Sequence, residues 1–203
     1  MGLILDISSY NGVIDWREVF AKNDISKVIL RATTKNNELD TRFIQNLNGI
    51  LEVNAGCPID CYKFSYAKTY ADANLESKRL LHELKKSGVA NFLNNVWIDI
   101  EDVGGIEWTS RQCDEVISAY EDVFEVYTCD LTLGIYANYH YFKNIIPKWG
   151  ADAIDNIWLA RWTDKDSFGD ISPFKPFMWQ YSNKGKVAGI PTAVDLSRYV
   201  NNI

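Results

Sequence analysis

Short apolar runs take turns along this chain with longer stretches whose apolar residues recur every three or four positions. That pattern predicts strands and helices in alternation. "LILDI" (3–7), "KVILRAT" (27–33), "CPIDCYKF" (57–64), "VWIDIE" (96–101) and "LTLGIYAN" (131–138) read as five strands. The stretches between them read as helices. "DWREVFAKN" puts Trp16, Val19 and Phe20 on one face. "DTRFIQNLNGILEVN" does the same with Phe43, Leu47, Ile50 and Leu51 before a stop at Gly56. "TYADANLESKRLLHELKKSG" ends at Gly88, and "TSRQCDEVISAYEDVFEVYT" opens with Thr109 or Ser110 as its N-cap. After residue 138 the rhythm changes. "NIWLARW" (156–162), "PFMWQYS" (176–182) and "AVDLS" (193–197) are strand-like, but the segments joining these three are rich in Gly, Pro, Lys and Asp and have no helical period.

Strand–helix alternation implies a parallel sheet with right-handed crossovers. Eight strands in 203 residues predict a small, irregular (β/α)8-type barrel, its outer helices missing near the C-terminus. With no linker and no internal repeat, residues 1–203 are expected to form a single catalytic barrel domain.

Composition narrows the function classes. No run approaches the ~20 apolar residues of a membrane span. "MGLILDISSY" has no basic region ahead of its apolar run, so no signal peptide is expected, and Asp6 occupies the position a myristoylation signal gives to Ser or Thr. The net charge of −6, with Lys and Arg scattered, argues against a nucleic-acid partner. Two histidines, neither near a cysteine in sequence, give no zinc spacing, and no metal or organic cofactor is expected. Cys57, Cys61, Cys113 and Cys129 are read as reduced, buried thiols. Cys57 and Cys61, placed in one strand, would be about 13 Å apart and beyond bridging distance.

"WIDIED" (97–102) sets the chemical question. Side chains two apart on a strand share a face, about 6.6–7 Å apart. Trp97, Asp99 and Glu101 therefore face one way, and Ile98 and Ile100 the other. Burying two like charges on one strand face is costly unless they serve a purpose. In such a barrel the active site lies at the C-terminal strand ends. Near those ends fall Asp6, Arg31, Tyr62, Phe64, Asp99, Glu101, Tyr136, Trp158, Arg161, Trp179, Tyr181 and Asp195. Carboxylates ringed by aromatic platforms suit a sugar, and acid pairs perform glycoside cleavage. Blander roles compete. Asp6 or Asp195 taken alone could cap a turn, Arg31 could neutralise acids structurally, and Trp97 and Trp149 read as core.

The motifs in order resemble the family 25 glycoside hydrolases, the Chalaropsis-type lysozymes of phages and bacteria. "LILDISSYNGVIDW" resembles that family's start, and "VILRAT" with "DTRFIQN" its second strand and following helix. "WIDIE" resembles its Asp-x-Glu strand, and "LGIYAN", "IWLARW", "MWQYS" and "VDLSRY" its later strands. The chain departs from the family pattern at "TTKNN", where many relatives have Thr-Glu-Gly. It departs again at Lys63, where many have His, and at Arg161–Trp162, where Tyr or Trp often follows the alanine. These positions belong to the groove edge.

The resemblance implies a muramidase that cleaves the β-1,4 bond between N-acetylmuramic acid and N-acetylglucosamine in bacterial peptidoglycan, and the sequence makes no protein partner evident. Carried over by position, Glu101 is the general acid and Asp99 its partner. Asp6 and Asp195 complete a carboxylate ring, and Tyr62, Tyr136 and Trp179 match aromatic positions that line the family's groove; Trp158 and Arg31, near the same strand ends, are expected to contact substrate as well. Asp99 could assist the 2-acetamido group, attack directly, or work by inversion with an activated water. A chain made in the cytoplasm without a leader would reach the wall through a holin or another export route. Two further readings stand beside this one: a catalytically silent glycan-binding barrel, and a glycosidase for chitin or another N-acetylated polysaccharide.

Overall fold

The structure, a computed structural model, describes residues 2–102, 104–127, 131–147 and 156–200. Cys129 and Trp149 lie outside them. Eight strands close into one barrel in sequential order: β1 (Leu3–Ile7), β2 (Ile25–Arg31), β3 (Ile59–Phe64), β4 (Asn95–Ile100), β5 (Thr132–Asn138), β6 (Ile157–Ala160), β7 (Met178–Gly185) and β8 (Val194–Tyr199). Four helices follow the first four strands: α1 (Trp16–Lys22), α2 (Phe43–Asn54), α3 (Tyr70–Lys86) and α4 (Ser110–Tyr127). A six-residue α5 (Tyr139–Asn144) follows β5. The sequence pattern did not predict α5. Its start is set by Asn138, whose side chain accepts the Tyr141 N–H at 3.1 Å.

The strands read as apolar runs because both of their faces are buried. Outward-facing Leu5, Ile7, Val28, Leu30, Ile98 and Ile100 pack under the helices. Inward-facing Ile4, Ile29, Trp97, Tyr136, Trp158 and Met178 fill the barrel. Trp97 is core, as its pattern implied, and Gly134 makes room for it. A Cβ at Gly134 would stand 2.5 Å from the Trp97 ring. Below this layer, Lys27 and Asp60 form a buried ion pair of 2.6 Å.

The expected parallel sheet holds through β7 and fails at β8, which runs antiparallel to both β7 and β1. Only residues 186–193 join β7 to β8. A parallel crossover needs a dozen or more residues, so this link permits a hairpin alone. Residues 161–177 carry the chain from β6 back to β7 without a helix. The third strand also begins later than its pattern suggested, at Ile59, so Cys57 lies in the turn before it. Cys57, Cys61 and Cys113 are buried free thiols. Among the described residues, no helix is long and apolar enough to cross a membrane.

Candidate active site

Strand parity delivers the acids to one rim. On β4, Asp99 points into the barrel above Trp97, and Glu101 follows one residue past the strand's end. Asp6 occupies the corresponding level of β1. Asp195 reaches the same level by a different route. It stands near the start of the antiparallel β8, directly opposite Asp6. All four acids line one cavity of about 310 Å³ with Arg31, Tyr62 and Tyr136, so the structure brings these seven expected residues together.

Trp158 and Trp179 do not reach that cavity. Trp158 faces inward but one layer too low. It is 1% exposed, its ring lies 4.5 Å from that of Tyr136, and its Nε1 donates to Ser197 Oγ at 2.9 Å. Trp179 faces outward between inward-facing Met178 and Gln180. Its Nε1 donates to the Arg161 carbonyl, and Phe168 packs on its ring. Tyr10, Phe64, Tyr66 and Trp162 line the cavity instead. Tyr10 projects from a short 3-10 turn capped by Ser8, remains 81% exposed, and stands over the Arg31 guanidinium at 5.6 Å.

Gln180, which the strand pattern does not single out, links the acids. Trp162 Nε1 donates to Gln180 Oε1 at 3.0 Å, and an indole N–H can only donate, so the amide orientation is fixed. The Gln180 Nε2 then faces Asp6 Oδ2 at 3.4 Å and Asp195 Oδ2 at 3.5 Å. The Tyr136 hydroxyl lies 3.1 Å from Gln180 Oε1 and 3.2 Å from Glu101 Oε1. Its single hydrogen goes to Gln180 when Glu101 is protonated and donates to it, and to Glu101 when Glu101 is ionised.

Burial dominates the electrostatics. It pushes the carboxyls of Asp6, Asp99, Glu101 and Asp195 above their ordinary range. Like charges add to this: Asp195 and Glu101 act on Asp6, Glu101 and Asp6 on Asp99, and Asp195 and Asp102 on Glu101. Arg31 opposes the rise at Asp6 and Asp99, and the Tyr136 hydrogen bond opposes it at Glu101. Glu101 is the strongest like charge acting on Asp99, so ionisation of the one works against ionisation of the other. Asp99 Oδ1 is buried and has no hydrogen-bond partner. Among the described residues, no three His, Cys, Asp or Glu side chains are grouped to hold a metal ion.

Two of the departures from the family pattern meet behind the cavity wall. The buried Lys63 donates to the Thr34 carbonyl at 3.1 Å, within "TTKNN", and lies 3.7 Å from Glu76. Glu76 accepts from Ser65 Oγ, the Tyr66 N–H and the Tyr120 hydroxyl. The pair thus braces Tyr66 from behind.

A closed barrel with paired carboxylates at its C-terminal rim carries the groups that glycoside cleavage uses. The sequence profile of the glycosyl hydrolases family 25 matches residues 5–190, and the chain belongs to that family. Among solved structures, it is similar to the modular autolysin LytC from Streptococcus pneumoniae, determined in complex with a synthetic peptidoglycan ligand. That match has 22% identity and a TM-score of 0.80, and covers 97% of this chain and 46% of the autolysin, so the chain spans less than half of it. It is also similar to the bacterial lysozyme from Streptomyces coelicolor, at 21% identity and TM-score 0.78 over 98% of this chain and 92% of that one. The catalytic domain of an endolysin from a Listeria monocytogenes bacteriophage matches at 23% identity and TM-score 0.75, over 100% of this chain and 94% of that domain. No curated protein sequence matches. At these identities the structural likenesses establish the fold, and the profile establishes the family.

Proposed function

We propose that this chain is a muramidase that hydrolyses the β-1,4 bond between N-acetylmuramic acid and N-acetylglucosamine in bacterial peptidoglycan. The observation that carries the reading is the pair on β4. Glu101 is a carboxyl whose proton affinity burial raises, and Asp99 beside it has a buried oxygen with no partner. The family membership and the peptidoglycan ligand of the similar autolysin support the choice of polymer.

Glu101 donates its proton to the bridging oxygen as general acid. The Asp99 carboxylate, which lines the cavity, accepts the N–H of the substrate's 2-acetamido group. That bond favours the ionised form of Asp99, and the charge on Asp99 in turn raises the proton affinity of Glu101. The oriented acetamide oxygen can then support the anomeric carbon as positive charge develops. Asp6 and Asp195 add negative charge beneath the same sugar, and Gln180 holds their two oxygens apart. Tyr10, Tyr62 and Trp162 offer ring faces to the sugar's C–H surface.

The bond assignment is tested by digesting purified peptidoglycan, reducing the fragments with borohydride and hydrolysing them. Muramicitol is the expected product. Glucosaminitol without muramicitol would exclude a muramidase and leave a glycosidase of other bond preference. Release of peptides with no new reducing sugar would exclude glycoside cleavage altogether.

A further inference from the structure

We propose that the buried pair of Lys63 and Glu76, outside the cavity and beneath α3, is a positioning unit. It fixes the end of β3 against the end of β4 and so sets Asp99 and Tyr66 for the substrate. The inference rests on the reading of Asp99 as the partner of the general acid.

The pair stands where apolar residues are the rule. On β3, Tyr62 and Phe64 face the cavity, so Lys63 between them points out beneath the helices, and it is 0% exposed. The same layer is apolar on the neighbouring strands, with Leu30 on β2 and Ile98 and Ile100 on β4. α3 meets it with a buried stripe of Ala73, Glu76, Ser77, Leu80, Leu81 and Leu84, so a carboxylate takes a core position of the helix. A buried ion pair loses its hydration, and well-packed apolar residues of similar volume are often as stable or more so. Stability alone therefore does not account for it.

Unlike a pair of leucines, these two side chains hold donors at fixed points. Ser65 Oγ at 2.7 Å and the Tyr120 hydroxyl at 2.9 Å donate to Glu76 Oε1, and the Tyr66 N–H donates to Oε2 at 3.2 Å. The Lys63 ammonium stands 3.7 Å from Oε2 and donates to the Thr34 carbonyl at 3.1 Å. All four groups around Glu76 are donors, and only a carboxylate accepts at both of its oxygens.

Two of these tethers lead to the cavity. The Ser65 hydroxyl is held by Glu76, and the Ser65 N–H donates to the Asp99 carbonyl at 3.0 Å. One residue thus separates Glu76 from the backbone of Asp99. Tyr66 is held by its own N–H, its ring lies 4.8 Å from that of Phe64, and both rings line the cavity. The Lys63 ammonium lies 5.6 Å from the centre of the Tyr66 ring. Ser65 and Tyr66 follow the last residue of β3, so these bonds take over where the strand ends. Neither Lys63 nor Glu76 borders the cavity, so each acts through Ser65 and Tyr66 and not on the substrate.

Two variants separate holding the fold from holding the site. Glu76→Gln keeps the shape but accepts at one oxygen only, so it gives up either the Tyr66 N–H or the Ser65 hydroxyl. Lys63→Met combined with Glu76→Gln leaves no buried charge, and its thermal midpoint is expected to recover toward wild type. It serves where the single variant folds poorly. Kinetics are read per folded molecule on soluble, un-cross-linked glycan chains from peptidoglycan. In both variants kcat is expected to fall about 10- to 100-fold, the scale of an ångström-sized misplacement of reacting groups. Amide exchange at Ser65 and Tyr66 is expected to quicken about tenfold or more, while β1 exchanges as in wild type. A double variant with wild-type kcat, or with unchanged exchange at Ser65 and Tyr66, would overturn the positioning role. A wild type that leaves the glycan intact would overturn the glycosidase reading instead, and the exchange rates would still decide whether the pair holds the two strand ends.

Discussion

Asp60 on β3 and Asp99 on β4 both lie inside the barrel, and both are buried. Their surroundings differ in one respect that decides what each can do. Asp60 takes a 2.6 Å ion pair from Lys27, two contacts from Asn95 Nδ2 at 3.1 Å, and the Trp97 indole N–H at 3.0 Å. Its charge is fully spoken for, and it plugs the bottom of the barrel. Asp99 stands one layer above Trp97 with Oδ1 unpartnered, like charges nearby, and Arg31 as the cation that opposes them among the described residues. Burial alone therefore does not mark a functional carboxylate. The mark is a buried carboxylate whose hydrogen bonds are left for something else to make.

The sharpest division between the two ends is catalytic. Glu101→Gln keeps the side chain's shape but has no acidic proton, and general acid catalysis is worth about 10²–10⁴-fold. Wall clearing is expected to fall by that factor while the variant stays folded. Asp99→Asn is expected to cost at least as much activity, because it removes the charge that assists the sugar. Turbidity assays on purified walls, with circular dichroism to monitor folding, check both. Clearing within a few-fold of wild type would remove the residue concerned from its role.

Asp60→Ala is the counterpart at the bottom of the barrel. It strands Lys27 as a buried charge without a partner, a change that typically costs about 3–5 kcal/mol. Denaturant unfolding is expected to report a loss of that order. Activity per folded molecule, measured at a temperature where the variant is still native, is expected to match wild type. A stable but inactive Asp60→Ala protein would collapse the distinction between the two ends.

Much of this division was legible in the sequence, and the gaps have definite causes. Period-two parity on "WIDIED" put Asp99 and Glu101 on one face and the two isoleucines on the other, as the barrel has them. Local pattern could not supply depth within the barrel. Trp158 has the right parity, but the ring that reaches the rim is Trp162, four residues on. On β7 the aromatic residue draws attention in the sequence, but it does not lie on the inward face. Trp179 points out and Gln180 points in, and nothing within "MWQYS" tells those faces apart. Tyr10 and Tyr66 stand on loops, where neither period applies. The reversal of β8 was readable after all, since residues 186–193 are too few for a parallel return.

Stability against pH separates the two ends without any substrate. Burial and like charges raise the folded-state value of Asp99 above its unfolded one, near 3.9. The folded state then binds the proton more tightly than the unfolded chain. That contribution to stability is complete below the unfolded value and is lost as pH rises through the raised folded value. Asp99→Asn has no such proton to lose. Its thermal midpoint is expected to gain on wild type as pH rises from about 4 toward neutrality. Midpoints measured across that range check the sign. A gap that does not change with pH would mean that the buried acid is not held protonated by the fold.

The smallest expected effect concerns the residue after the general acid. The Tyr141 hydroxyl donates to Asp102 Oδ1 at 2.6 Å and accepts the Trp108 N–H at 3.1 Å, which ties the chain just past β4 to α5. The Asp102 charge is one of the influences raising Glu101, ranking after burial and Asp195. Neutralising it lowers the Glu101 value, so Glu101 loses its proton at lower pH. The alkaline limb of the pH–rate profile is therefore expected to move to lower pH in Asp102→Asn, with little change at the optimum. Asp102 is exposed, so salt screens its influence, and the displacement between wild type and variant is expected to shrink as ionic strength rises. Tyr141→Phe retains the charge and loses the tie. It is expected to lower the rate across the whole profile without moving the limb. If both variants move the limb equally, the tie rather than the charge sets the acid's range. If neither does, Glu101 is governed from within the barrel alone, by the same burial that raises Asp99.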